Sequence, residues 1–193
     1  MEICNPNKML DTTELIYAYS QGYFPMAVPE ENNEIYWFKP DMRGIIPLDG
    51  FHVSKNLKKL YAKEHFTLKI NGDFEGVMRG CADRNDTWIS DDIINTYCKL
   101  NEMGYAFSFE TWRNNKLVGG LYGVALGSVF FGESMFHTET DASKIALVFL
   151  VEFLLENNFS LLDTQYINDH LKQFGCIEIP NEEYEILLKQ ALE

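Results

Sequence analysis

No stretch of this sequence is apolar for long enough to cross a membrane. The most apolar run, Ile145 to Leu155, is eleven residues and contains Glu152, against the roughly 20 that a spanning helix needs. The N-terminal MEICNPNKML lacks the basic-then-apolar layout of a secretion signal, so the patterns NDT at Asn85 and NFS at Asn158 carry no implication of glycosylation. Cys4, Cys81, Cys98 and Cys176 are scattered, with no C-x-x-C, which excludes the common zinc and thioredoxin arrangements. They read as free thiols, and the expected compartment is the reducing cytoplasm. His52, His65, His137 and His170 show no ligand spacing, and no metal is called for. G-x-S-x-G, the Walker phosphate loop and G-x-G-x-x-G are all missing, so no cofactor is indicated. Positive charge is scarce: 16 Lys and Arg against 29 Asp and Glu, a net charge of −13. That balance argues against a general nucleic-acid binder.

The deficit is uneven. Residues 39 to 84 hold nine of the sixteen basic residues against six acids, so an acidic body carries one basic segment. Such a segment can hold a phosphate backbone locally. Within it, Ser54 caps a helix, KNLKKLYAKE. Lys55, Lys59 and Lys63 share one face of it, with Lys58 nearby and Leu57, Leu60 and Tyr61 opposite. A solvated helix face explains the lysines equally well.

The length of 193 residues suggests one domain, or one domain with a small appendage. Asp11 or Thr12 starts a helix that Gly22 ends. The following 29 residues hold four prolines and read as loop, with YWF and GIIPL as strand pieces. FTLKIN alternates as a strand, DFEGVMRGCA is a short helix, and Ser90 caps a longer helix ending at Gly104. YAFSFETW, KLVGGLYGVAL and SVFFGESMF form an antiparallel meander. TDASKIALVFLVEFLLENN is a helix apolar almost all round, with a narrow polar stripe at Asp141, Glu152 and Glu156, and it has to be buried against the sheet. SLLDTQ is a short strand; INDHLKQFG and NEEYEILLKQAL are amphipathic helices. The expected fold is mixed α/β, with a mostly antiparallel sheet flanked by helices and an irregular N-terminal part of about 40 residues.

Two features could carry chemistry. Val118 to Phe136 contains five glycines and a single charge, Glu133. A desolvated carboxylate there is costly unless it is paired or used. Strand glycines let another backbone or a ligand come close. In LLDTQ, Asp163 and Gln165 end an apolar strand, and residues two apart in a strand share a face. A structural capping role for Asp163 is the competing reading. From the residues alone, the protein is an α/β protein with an apolar pocket and a few pointed polar groups.

AYSQGYFP, WFKPDMRGIIPLDGFHVSKNLKK, GCADRNDTWI, LVGGLYGVALGSVFFGESMF, DASKIAL, LLDTQ and NDHLKQFG follow one another in this order. Together they resemble the leucyl/phenylalanyl-tRNA–protein transferases, bacterial N-end-rule enzymes, from about Ala18 to the C-terminus. The resemblance implies a small N-terminal subdomain, 1–40, and a catalytic domain of acetyltransferase-like (GNAT) fold, 41–193. It implies transfer of Leu or Phe, with Met a further candidate, from aminoacyl-tRNA to the α-amine of proteins beginning with Lys or Arg. It calls for no cofactor, no membrane and no second subunit. On this likeness Asp163 and Gln165 match the catalytic pair, Asp163 orienting the Gln165 amide that meets the attacking amine. Glu133 holds a cationic or amino group of the substrates, and Trp88 stacks on the terminal adenine. Leu121, Phe130, Leu147, Leu150, Leu154 and Leu162 line the aminoacyl pocket, and Asn168 joins them as a substrate contact. Lys55, Lys59, Lys63, Arg43 and Arg84 meet the tRNA. The chain departs from the family pattern at Met26 (Trp in the family), His137-Thr138 (Ser-Arg) and Asn181 (Arg). The competing classes are a non-catalytic binder of tRNA or N-terminal peptides and a small-molecule N-acyltransferase. The latter uses a Q/R-x-x-G-x-G/A loop that this sequence lacks.

Overall fold

The computed structural model describes residues 2–3, 10–28, 31, 34–85 and 87–193. Ten strands and seven α-helices alternate along them: β1 (Glu2–Ile3), α1 (Thr12–Ser20), β2 (Phe24–Val28), β3 (Glu34–Phe38), β4 (Met42–Ile46), α2 (Lys55–Ala62), β5 (Thr67–Ile70), α3 (Phe74–Ala82), α4 (Asp91–Glu102), β6 (Ala106–Arg113), β7 (Lys116–Leu126), β8 (Val129–His137), α5 (Ala142–Glu156), β9 (Leu161–Gln165), α6 (Asp169–Lys172), β10 (Ile177–Pro180) and α7 (Asn181–Leu192). Helix starts follow local chemistry. The side chains of Asp11, Ser54, Asp73, Ser90 and Asn168 each accept from first-turn N–H groups that have no partner within the helix.

The main sheet has seven strands in the order β10-β4-β9-β8-β7-β6-β5. All neighbours are antiparallel except β8 and β9. The parallel pair is matched only over Val129–Phe131 and Leu161–Asp163. Beyond Phe131 and Asp163 the two strands run on without pairing, and the sheet opens there into a cleft. One core lies on the side of α3 and α4, with Val77, Tyr97, Tyr122 and Phe131; the other lies under α5, with Phe109, Phe130, Leu147 and Leu162.

Three expectations need correcting. The N-terminal part is not irregular: α1 is followed by a second sheet, β1-β3-β2, in which Pro25 sits on the edge strand β2, where its missing N–H costs nothing. Leu15, Tyr19 and Phe24 of this segment are buried in the same core as Phe131 and Tyr184. IEIP, given no assignment in the sequence, is the edge strand β10. The expected INDHLKQFG helix is only the single turn α6.

The glycines of β7 mostly serve internal packing. A Cβ on Gly119 would lie 2.6 Å from the Ala142 side chain at the start of α5, and one on Gly120 would lie 3.1 Å from Val77 of α3. At Gly123, beside a bulge, a Cβ would meet the Phe131 carbonyl oxygen at 2.2 Å and the Phe130 ring at 2.5 Å. Helices therefore sit closer to β7 than any side chain there would allow. Only Gly132 of the five faces the cleft.

Candidate active site

The cleft between the diverging ends of β8 and β9 leads into a cavity of about 410 Å³. Its apolar wall includes Leu121 from β7, Met135 from β8, Leu147 and Leu150 from α5, Leu162 from β9 and Leu171 from α6. Its polar wall includes Glu133, Ser134, Thr164 and Gln165; Arg84, Trp88, Asn168 and His170 also border it. Phe130 and Leu154, expected in the pocket, stand behind its wall. Phe130 packs edge-to-face on Phe109 at 5.9 Å, and Leu154 is fully buried in the core under α5. Leu154 lies one turn beyond Leu150, so the shared helix face passes below the cavity floor. Asn168 caps α6 by accepting from the Leu171 N–H at 2.9 Å.

Asp163 is completely buried and both of its oxygens are occupied. Arg43 donates from Nε to Oδ1 and Oδ2 (3.0 and 3.2 Å) and from Nη2 to Oδ2 (2.6 Å). The Tyr184 hydroxyl donates to Oδ2 at 2.7 Å, and the backbone N–H of Gln165 donates to Oδ1 at 2.7 Å. Arg43 also reaches the Gly22 carbonyl at 2.9 Å and lies between the Phe24 and Tyr184 rings. Arg43, expected to meet the tRNA, does not: a guanidinium with no exposed surface, bound bidentately to a carboxylate, is not available to a tRNA phosphate.

The Asp163–Gln165 pair also differs from its expected form. Gln165 has φ of +62°, a left-handed conformation that turns its side chain off the face shared with Asp163. Asp163 holds the Gln165 backbone, and the Gln165 amide reaches Glu133 instead, donating from Nε2 to Oε1 at 3.0 Å. The same Oε1 accepts from the Tyr19 hydroxyl at 2.5 Å, and Tyr19 in turn is hydrogen-bonded to the Tyr97 hydroxyl. Glu133 Oε2 is buried and has no hydrogen-bond partner among the described residues. Burial pushes the Glu133 carboxyl up to about 7, and the proximity of Asp163 adds to the rise. The hydrogen bonds from Tyr19 and Gln165, and the charge of Arg43, act in the opposite direction. Burial also holds the Tyr19, Tyr97 and Tyr122 hydroxyls well above their ordinary range, so they stay protonated. Glu110, a buried carboxylate on β6, two strands away, provides a contrast. Its oxygens accept from the Ser108 hydroxyl, the Asp73 N–H and the Trp112 indole, at 2.7, 2.8 and 2.7 Å. Glu110 is satisfied as a structural acid; Glu133 is satisfied on one oxygen only.

Lys55, Lys59 and Lys63 are exposed on and just after α2. That helix is tied to α5 by a hydrogen bond from Tyr61 to Glu152. Arg84 is exposed at the edge of the cavity. The residues that the sequence reading missed are Tyr19 and Tyr97, which anchor Glu133, and Tyr184, which shares Asp163 with Arg43. Tyr19 lies within the AYSQGYFP motif, but nothing in its local pattern points to a carboxylate 114 residues away.

The family model described as leucyl/phenylalanyl-tRNA protein transferase matches residues 45–189, and the model of that family's N-terminal domain matches residues 8–41. The chain belongs to the leucyl/phenylalanyl-tRNA protein transferase family. It is thus an aminoacyltransferase, with aminoacyl-tRNA as donor and proteins as acceptors. Among solved structures, FemX is similar with a TM-score of 0.55 at 14% identity, over 92% of this chain and 71% of that one. This likeness speaks for the GNAT-like fold alone. L-PGS from Bacillus licheniformis aligns with a TM-score of 0.47 at 12% identity, over 94% of this chain and 70% of that one. No helix among the described residues is long and apolar enough to cross a membrane.

Proposed function

We propose that this transferase moves Leu or Phe from its tRNA to the N-terminal α-amine of proteins beginning with Lys or Arg, acting as a cytoplasmic monomer and marking those proteins for N-end-rule degradation. The observation that carries the reading is the cavity itself. Leucines, Leu121, Leu147, Leu150 and Leu162 among them, form an apolar chamber, and the acid Glu133 and the amide Gln165 stand together in its polar wall. A branched or aromatic aminoacyl side chain fits the leucines, and its ester carbonyl then lies toward the polar wall. Trp88 borders the same cavity, where stacking on the terminal adenine would add about 1–3 kcal/mol.

The reaction is aminolysis of an activated ester. Positioning of the amine and handling of its protons dominate such a step, since no covalent intermediate is required. Gln165 meets the incoming amine. Asp163, with no free lone pair directed at the cavity, is a positioning residue: through the Gln165 N–H it holds the left-handed turn that aims the amide. Glu133 gives the acceptor's amino group its one anionic contact in the cavity wall.

Transfer of labelled amino acid from Leu-, Phe- and Met-tRNA to peptides with varied N-termini tests this directly. Incorporation from Leu- and Phe-tRNA into Lys- and Arg-initiated peptides is expected. Equal incorporation into Ser- or Glu-initiated peptides would remove the acceptor assignment, and transfer from Met-tRNA alone would remove the donor assignment.

A further inference from the structure

We propose that Glu133 is the proton acceptor of the transfer reaction, its Oε2 taking the proton that the attacking amine releases. The inference rests on the aminoacyl-transfer reading above and goes beyond it by assigning the base.

Two carboxylates stand at the open ends of β8 and β9, and their surroundings separate their roles. Protonating Asp163 would break its buried pair with Arg43 and displace either the Tyr184 hydroxyl or the Gln165 N–H. Glu133 presents the opposite situation. Tyr19 and Gln165 fix Oε1 and so orient the carboxylate, while Oε2 is buried and lacks any hydrogen-bond partner among the described residues, on a residue that borders the cavity. The charged and titratable groups packed around it are Tyr19 from α1, Tyr97 from α4, Tyr122 from β7, Arg43 from β4 and Asp163 from β9. The three tyrosines remain neutral, and Arg43 is paired with Asp163, so among the described residues no hydrogen-bonded cation serves as counter-ion to Glu133. A carboxylate in such a place is a stronger base than one in water, which is the condition for accepting a proton from an amine adduct near neutral pH.

The step balances as follows. The neutral α-amine nitrogen bonds to the ester carbonyl carbon, and the carbonyl electron pair moves to its oxygen. The nitrogen, now cationic, gives one proton to Glu133 Oε2. The oxygen pair returns, the bond to the tRNA 3′ oxygen breaks, and that oxygen takes the proton from Glu133. The products are the amide, the free tRNA hydroxyl and the regenerated carboxylate.

The competing base is His170, whose buried Nε2 also has no hydrogen-bond partner among the described residues and which borders the same cavity. Single-turnover transfer from Phe-tRNA to an Arg-initiated peptide, followed from about pH 5.5 to about pH 9, separates the two. The wild-type rate is expected to rise with pH through a limb near 7. The acceptor amine titrates at about 7.7–8.0 and contributes the same limb to every variant, so shifts between variants are the readout. Glu133→Gln should lose the lower limb and at least ~100-fold in rate. Tyr19→Phe removes a hydrogen bond that holds the Glu133 carboxyl down, so the lower limb should move to higher pH. A Glu133→Gln enzyme with the wild-type rate and limb overturns the proposal, as does loss of the limb in His170→Gln but not in Glu133→Gln. Should Glu133→Gln fail to fold, Tyr19→Phe decides: an unmoved limb overturns the assignment. Wild-type protein that transfers from none of the Leu-, Phe- and Met-tRNA donors would bring down the transfer reading and this proposal with it.

Discussion

At the scale of single residues, the site sets stability against chemistry. The Glu133 carboxyl, raised to about 7 in the fold from an ordinary 4.5, is protonated in the native state but ionised in the unfolded chain between those values. Its folded pKa lies above the unfolded one, so the native state binds the extra proton. Stability attributable to this group therefore falls as pH rises from about 4.5 to about 7, by on the order of 3 kcal/mol. Glu133→Gln should leave the melting temperature nearly unchanged at about pH 4, below both values, and raise it at about pH 8, and thermal melts of both proteins at the two pH values measure this. Asp163 behaves differently. Asp163→Ala leaves the buried Arg43 guanidinium without its counter-charge and should cost about 3–5 kcal/mol in urea denaturation. The double variant Arg43→Met with Asp163→Leu should recover much of that stability while transfer stays low, because the Gln165 N–H has lost its acceptor. The sequence pattern suggests loss of activity with an intact fold for Asp163→Ala; the buried ion pair makes destabilisation the first consequence.

At the scale of elements, the parallel pair β8–β9 is the decisive piece. Antiparallel neighbours in the meander stay paired along their length, whereas β8 and β9 share only three matched positions before they part. The polar wall of the cavity lies just beyond the last matched pair: Gly132, Glu133 and Ser134 on one strand, Thr164 and Gln165 on the other. Helix α5 closes the cavity with Leu147 and Leu150, and the small residues Gly119 and Ala142 let it lie close enough to do so. Leu150 is 1% exposed and faces the chamber. Leu150→Trp should therefore shrink the chamber and disfavour Phe more than Leu donors, by about 1–3 kcal/mol in kcat/KM. Competition between Phe-tRNA and Leu-tRNA measures the ratio. An unchanged ratio in a folded variant would place the aminoacyl side chain elsewhere.

For the molecule as a whole, charge governs the encounter with tRNA. The chain carries −13 overall, yet residues 39 to 84 are net basic. Arg43 contributes nothing to that surface, being buried, but Lys55, Lys59 and Lys63 are exposed on one side of α2. If this face meets phosphates, changing the three lysines to Glu should weaken tRNA binding and flatten the slope of log K against log salt by about 0.7–0.9 per lost contact. Transfer from a short aminoacyl-adenosine, which lacks the tRNA body, should be unaffected. Parallel slopes in a salt titration of wild type and variant would reduce the lysines to a solvated helix face.

The helix starts at Asp11, Ser54, Asp73 and Ser90, the meander of β6, β7 and β8, and the apolar helix α5 could all be read from neighbours in the chain. Caps, turns and hydrophobic periods act over a few residues and leave their mark in the local pattern. The family motifs likewise carried the transferase assignment, and the isolation of Glu133 among apolar residues marks it in the sequence itself. The partners of these groups were not legible. Arg43 looked like a surface cation until β4 was laid beside β9, which buried it against Asp163, 120 residues away. Gln165 looked like the companion of Asp163 until its left-handed backbone turned it to Glu133. Leu154 shared the face of Leu147 and Leu150, but only the depth of the cavity could exclude it. The five glycines between Val118 and Phe136 suggested a ligand floor, yet four of them prove to make room for the protein's own helices and strands. Which buried group meets which is set by strand order, register and the point at which two strands cease to pair, and those depend on contacts summed over the whole chain.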